Sequence, residues 1–170
     1  MITVIQRVTS ASVTVNQQEL GRIGVGIMAL VAVEKHDTPK HAERLLERIL
    51  NYRIFADEHE RMNLSLSDIA GGLLLVPQFT LAADTRKGNR PSFISAAPPE
   101  LGRELFGYLQ QHARLVYPSV QFGQFGADMQ VALVNNGPVT FTLSWVLGNK
   151  SLGQKLISPT HRSVPITPVI

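Results

Sequence analysis

The sequence contains no cysteine. That excludes a disulfide scaffold, a thiolate nucleophile and a Cys-ligated zinc or iron–sulfur centre. Long hydrophobic runs are missing too. Ile27–Val33 and Leu73–Val76 are among the longest, far short of the roughly 20 residues that span a bilayer. The start, Met1-Ile2-Thr3-Val4-Ile5-Gln6-Arg7, lacks the basic opening and small-residue cleavage site of a secretory signal. There is no Gly-x-Ser-x-Gly elbow and no Walker loop, and Gly21, Gly24 and Gly26 stand in the wrong order for a dinucleotide fingerprint. His36, His41, His59, His112 and His161 form no His-x-His or His-Glu-x-x-His pair, so they read as ordinary surface or helix residues and no metal is expected. These absences predict a soluble, cytoplasmic protein.

What remains is ample material for one core. The chain has 170 residues, of which 44% are hydrophobic and only 17% charged, a length that suits a single domain. Its formal charge is +3. Lys150, Lys155 and Arg162, in a stretch without acids, carry that whole surplus, so residues 1–147 are neutral. A global basic field is therefore no argument for a nucleic-acid partner; any anion must meet a local cluster. From Gly148 onward the chain holds Pro159, Pro165 and Pro168 and no sustained period. The expectation is a domain over 1–147 and an extended or disordered tail over 148–170.

The domain opens on strand periodicity. Ile2, Val4, Val8, Val13 and Val15 alternate with polar residues, Gly21 and Gly24 mark a hairpin-like region, and Ile27–Val33 reads as a buried strand. Thr38-Pro39 suits a helix start, and Ala42, Leu45, Leu46, Ile49 and Leu50 then form one apolar face. A short strand at Arg53–Phe55, a turn at Asp57–Arg61 and a buried strand at Leu73–Val76 follow. A second helix starts at Pro98-Pro99-Glu100 and ends at Tyr117-Pro118. Strands at Met129–Val134 and Val139–Leu147 close the body. Many strands with few intervening helices predict an antiparallel α+β domain with two main helices.

Three segments suggest chemistry. In Pro77-Gln78-Phe79-Thr80-Leu81 a proline ends a strand ladder. The segment reads either as a bend with Phe79 in the core, or as clustered amides able to hold an oxyanion beside the Thr80 hydroxyl. Ala83–Phe93 holds Arg86, Lys87 and Arg90 within five residues, framed by Gly and Pro; it is either a solvated turn or a phosphate-receiving loop. Asn135-Asn136-Gly137-Pro138 lies between apolar strands. It reads as a structural hairpin, or as a cis Gly-Pro element orienting two neighbouring carbonyls alike.

Taken in order, these motifs resemble the D-aminoacyl-tRNA deacylase family of the D-Tyr-tRNA deacylase type. The resemblance covers residues 1 to about 147. It rests on Gln6-Arg7-Val8, Ala11-Ser12-Val13, Asn51–Phe55, Arg61–Ser65, Gln78–Leu81, Asp84–Gly88, Arg90–Phe93, Phe125–Met129 and Asn135–Thr140. It implies a β-barrel-like homodimer, without metal or organic cofactor, that hydrolyses the ester of D-aminoacyl-tRNA and also accepts glycyl-tRNA. Gln78, Phe79 and Thr80 would form the catalytic region. Gly137, Pro138, Arg7 and Met129 would bind the aminoacyl group, and Arg86, Lys87 and Arg90 the tRNA. A cis Gly137-Pro138 pair would enter the partner's pocket, where its carbonyls grip the α-amino group and its backbone leaves no room for an L side chain.

The resemblance leaves two chemical models. In one, Thr80 is a nucleophile, although its motif offers no histidine or acid to activate it. In the other, amides near Gln78, Phe79 and Thr80 stabilise the oxyanion and the neighbouring 2′-hydroxyl of the tRNA assists water. The chain departs from the family pattern in two places. Pro77 stands where the family carries Ser, and the tail is extra. An L-alanyl-tRNA editing group carries Pro-Gln-Ala-Thr-Leu at the first of these places; Phe79 and Val139 side with the D-specific type. A non-catalytic RNA-end binding module on the same fold is the remaining alternative.

Overall fold

A computed structural model describes residues 1–144; the expected tail and the last residues of the Val139–Leu147 strand lie outside them. The eight strands are β1 (Ile2–Val15), β2 (Gln18–Ile23), β3 (Gly26–Ala32), β4 (Phe55–Ala56), β5 (Met62–Leu64), β6 (Gly72–Pro77), β7 (Val120–Phe122) and β8 (Gln130–Ser144). The helices are α1 (Pro39–Asn51), the short α2 (Leu66–Ile69) and α3 (Pro99–Val116), with a 3-10 turn over Phe79–Ala82.

The main sheet runs β2-β1-β3-β6-β7, with β8 on the other side of β1. It is mixed, which corrects the antiparallel expectation. The pairs β3–β6 and β6–β7 are parallel, whereas β1 is antiparallel to β2, β3 and β8. Parallel neighbours need a long crossover. The segment carrying α1 and α2 supplies one and α3 supplies the other. The β1–β2 turn also falls earlier than Gly21 suggests. It is made by Asn16 and Gln17, both at positive φ, between the paired Val15 and Gln18, the backbone sense that matches the twist of a two-residue hairpin.

Alternation along the central strands fills two cores. Ile27, Ala29 and Val31 of β3 and Leu73 and Leu75 of β6 join the helix-covered core with Leu45, Leu46, Ile49, Leu105 and Leu109. Met28, Leu74 and Val76 face the other way, against Val8, Val13 and Ile23. Both faces of β3 and β6 are thus apolar, as a sheet covered on both sides requires. Each fully buried Leu or Ile contributes about 1.5–3 kcal/mol. The second core exists because the sheet curls. A Cβ built on Gly21 of β2 would lie 3.0 Å from the Gln121 Cβ of β7, so the two ends of the sheet nearly meet and form a barrel-like wall.

The helix limits follow from their ends. Thr38 caps α1 with its backbone extended, and its own N–H donates to His41 Nδ1 at 3.0 Å. Tyr52 and Tyr117 return the chain to extended conformation after α1 and α3, and Pro118 bars a further turn of α3.

β8 settles the third motif. It is one strand from Gln130 to Ser144, antiparallel to β1 throughout, so the hairpin reading of Asn135–Pro138 is wrong. Gln6 pairs with Thr140, but Val8 pairs with Asn135. Arg7 alone therefore faces the four residues 136–139, a large bulge that projects from the sheet with Asn136, Gly137 and Pro138 exposed. A one-sequence turn signal cannot distinguish a bulge from a hairpin, because both need a residue at positive φ.

Candidate functional site

β6 ends in Pro77, opposite Val31 of β3. The ladder survives one step further, since the Gln78 N–H donates to the Val31 carbonyl at 2.7 Å. Of the three amides the sequence reading leaves open, this one is taken. Phe79 and Thr80 begin the 3-10 turn, so their amides have no acceptor within it. Among the described residues neither donates a backbone hydrogen bond. The Thr80 Oγ1 accepts from the Gln78 Nε2 at 2.6 Å. A hydroxyl whose partner is a donor gains no base.

This corner forms one wall of a cavity of about 500 Å³ lined by Pro77, Gln78, Phe79, Ala97, Pro99 and residues 125–129. The fold thus joins Gln78 and Phe79 with Met129, some fifty residues apart in sequence. Phe125, Gly126, Ala127 and Asp128 also line it; the sequence reading matched them as a motif but gave them no role. Thr80 is not a lining residue. Gly123 makes room for Met129, because a Cβ there would meet the Met129 sulfur at 2.9 Å. Phe79 is 56% exposed, so it is no core residue. Its ring packs on that of Phe93, with centroids 5.2 Å apart.

That ring pair leads to the second predicted cluster. Asp84 and Ser92 exchange both backbone hydrogen bonds, at 2.7 and 3.0 Å, closing the loop between them. Asp84, Arg86, Lys87, Arg90 and Ser92 surround an open depression of about 520 Å³. The three cations are unequal. Arg86 donates from Nε and Nη2 to the two Asp84 carboxylate oxygens at 2.9 and 2.6 Å, which holds the Asp84 carboxyl well below the usual carboxylate range. Lys87 and Arg90 have no ion-pair partner among the described residues.

Arg7, Gly137 and Pro138 form a third cluster that does not line this cavity. Arg7 bridges two carbonyls, Asn136 through Nε at 3.0 Å and Ile54 through Nη1 at 2.6 Å. The Gly137-Pro138 bond is cis, as the sequence reading anticipates. Asn135 Oδ1 accepts from the Val139 N–H at 2.8 Å, and its Nδ2 donates to Thr140 Oγ1 at 2.9 Å. The bulge is thus tied on both flanks. Gly137 sits at φ +129°, a conformation that strains any other residue, and a Cβ there would lie 2.7 Å from Arg7 Nη2 and displace that guanidinium.

Among the described residues no group of three or more His, Asp or Glu side chains is placed to hold a metal ion, and no helix is long and apolar enough to cross a membrane.

Comparison with known proteins agrees with this layout. A D-aminoacyl-tRNA deacylase of Pseudomonas entomophila is 63% identical over 139 residues, covering 82% of this chain and 96% of that protein. One of Nitrosococcus oceani is 58% identical over 143 residues, covering 84% and 92%. Among solved structures, the c-Myc DNA unwinding element binding protein superposes with a TM-score of 0.82 at 39% identity, over 86% of this chain and 99% of that one. A probable eukaryotic D-amino acid tRNA deacylase shares the fold, with a TM-score of 0.74 at 18% identity over 84% and 97%. The sequence pattern of the D-Tyr-tRNA(Tyr) deacylases matches residues 4–144, nearly all the described protein, and the chain belongs to that family.

Proposed function

We propose that this protein hydrolyses the ester joining a D-amino acid to the terminal ribose of tRNA, and also that of glycyl-tRNA, as a chiral proofreader of translation. Water adds to the ester carbonyl, the acyl–oxygen bond breaks, and the free amino acid and the ribose hydroxyl leave. The observation that carries the reading is the cavity bounded by Pro77, Gln78 and Phe79, where β6 gives way to the 3-10 turn. Two amides there have no partner within their turn, and clustered donors of this kind suit a developing oxyanion; one such donor is typically worth about 2.7–4 kcal/mol. The amides of Phe79 and Thr80 are assigned that task. In this reading the Thr80 hydroxyl is not the nucleophile, since its hydrogen bond comes from an amide donor and no carboxylate or imidazole bonds to it among the described residues. The neighbouring 2′-hydroxyl of the tRNA then assists water.

Chirality is assigned to the projecting Asn136–Pro138 bulge. It is exposed in one protomer and absent from that protomer's own cavity, so in this reading it serves the cavity of a second copy, with a homodimer as the working form. Its backbone would receive the α-amino group and bar an L side chain, and a wall of main chain cannot swing aside as a rotamer does. Arg7 holds that wall. Met129 lines the substrate cavity, and Lys87 and Arg90, with Arg86 beside them, meet tRNA phosphates.

The test is deacylation of matched D-Tyr-tRNA and L-Tyr-tRNA at catalytic enzyme concentration, with L-Ala-tRNA as a third substrate. Turnover of the D ester alone is expected. Preference for L-Ala-tRNA would assign the protein to the alanyl editing group, which carries a proline at the Pro77 position; Pro77 is also the feature that favours a non-catalytic module. Binding without turnover would make it an RNA-end binding module.

A further inference from the structure

We infer that Arg103 is a second, separate phosphate contact for the tRNA, on the α3 side of the cavity; this rests on the proposed deacylase reading. Arg103 is exposed on the second turn of α3. Its guanidinium carbon lies 5.4 Å from the centroid of the Phe125 ring. Gly102 allows this arrangement, because a Cβ there would come within 3.0 Å of the Phe125 ring. The ring therefore docks flush on α3. Arg103 Nη2 also lies 3.8 Å from where a Gly126 Cβ would be. Phe125 and Gly126 both line the substrate cavity, so the cation is held at its rim.

Its charge is uncommitted. Glu100 and Glu104 neighbour it on the helix and Asp128 lines the cavity, yet no carboxylate pairs with Arg103 among the described residues. Stacking on an aromatic face orients a guanidinium and leaves its in-plane N–H fork free for a bidentate anion. An aminoacyl-tRNA has one class of anion to offer there. The amino acid's carboxyl is tied up in the ester, so the negative charges are phosphodiesters. Arg103 therefore takes a backbone phosphate close to the 3′ end. The 84–92 loop is a distinct region, reached through Phe79 and Phe93, so the 3′ strand is gripped at two places.

The experiment compares wild type, Arg103→Ala and Arg103→Lys. Affinity for uncharged tRNA is measured across salt concentrations, and kinetics are measured on D-Tyr-tRNA and on D-tyrosyl-adenosine, which has the ester and base but no phosphate. Arg103→Ala is expected to flatten the log K against log salt slope by about 0.7, the value of one single-strand contact. It should raise KM for D-Tyr-tRNA about fivefold with kcat unchanged, and match wild type on the adenosine ester. Arg103→Lys should restore the salt slope. An unchanged slope and KM in Arg103→Ala would overturn the assignment. So would an equal loss on the phosphate-free ester, or a lysine variant that behaves like alanine. The tRNA-binding arm reads Arg103 even if wild type turns over neither ester, which would refute the deacylase reading instead.

Discussion

Arg7 Nε donates to the Asn136 carbonyl at 3.0 Å across the β1–β8 seam, at the point where one residue of β1 faces four of β8. Its second hand, on the Ile54 carbonyl at 2.6 Å, anchors the side chain to the segment just before β4. The bulge is thus clamped from beneath by a side chain that itself has two fixed ends.

Arg7→Ala removes both bonds and frees the bulge. The D-over-L ratio of kcat/KM should fall about tenfold or more, because each 1.4 kcal/mol lost from a wall is a factor of ten in discrimination. Arg7→Lys should not rescue it, since one ammonium lacks the planar fork that spans two carbonyls. Paired deacylation assays on D-Tyr-tRNA and L-Tyr-tRNA check this; an unchanged ratio would remove Arg7 from chiral selection.

Thr80→Ala should keep most of the turnover. The substitution deletes an oxygen that accepts from Gln78 and leaves the backbone amides in place. A tRNA ending in 2′-deoxyadenosine, charged on its 3′-oxygen, should be cleaved poorly by wild type. A folded but inactive Thr80→Ala protein would restore the nucleophile model.

The loop cations should rank unequally. Arg86 is already neutralised by Asp84 in a two-point pair, while Lys87 and Arg90 have no ion pair among the described residues. Lys87→Ala and Arg90→Ala should each flatten the salt dependence of tRNA binding by about 0.7, and Arg86→Ala by less. Equal slopes for all three would mean that the Asp84 pair opens when RNA binds.

Tyr117 offers a stability test away from the site. Its buried hydroxyl, just past α3, donates to the Gly71 carbonyl at 2.6 Å. Tyr117→Phe should cost about 1–2 kcal/mol at neutral pH in denaturant unfolding, the cost of leaving a buried carbonyl unpaired. Burial raises the Tyr117 pKa above its ordinary value of 10.0. A raised pKa stabilises the fold below the unfolded value and is lost as pH climbs through the folded one. The gap between wild type and variant should therefore narrow above about pH 10.

The parts of this protein legible in its sequence are those set by local periodicity. The apolar face Ala42–Leu50, the Pro99 start and Tyr117-Pro118 stop of α3, and the buried runs of β3 and β6 all obey rules that span a few residues. Strand direction does not. Whether Leu73–Val76 runs parallel to Ile27–Val33 depends on where a crossover of some forty residues returns, which no short pattern records. The bulge at residues 136–139 is opaque for a similar reason, because it exists only in pairing with β1, more than a hundred residues away. Of the candidate site, the sequence marks the segments but not their partners. Gln78, Phe79 and Met129 share one cavity, but the Gln78 amide is spent on Val31, and Arg103, proposed above as a phosphate contact, carries no local signal because a lone charge on a helix resembles any solvated one.

The paired Asp84 and Ser92 amides close the chain between them into a self-contained ring. Its length and charge are therefore uncoupled from the geometry of the Phe79–Ala82 turn that precedes it. Changes of length or sign within residues 85–91 are expected to leave the Phe79–Ala82 turn in place, because they fall inside the closed ring and the Phe79–Phe93 contact lies outside it. In the deacylase reading proposed above, such a layout would let the loop assigned to tRNA phosphates vary while the corner beside the cavity stays constant.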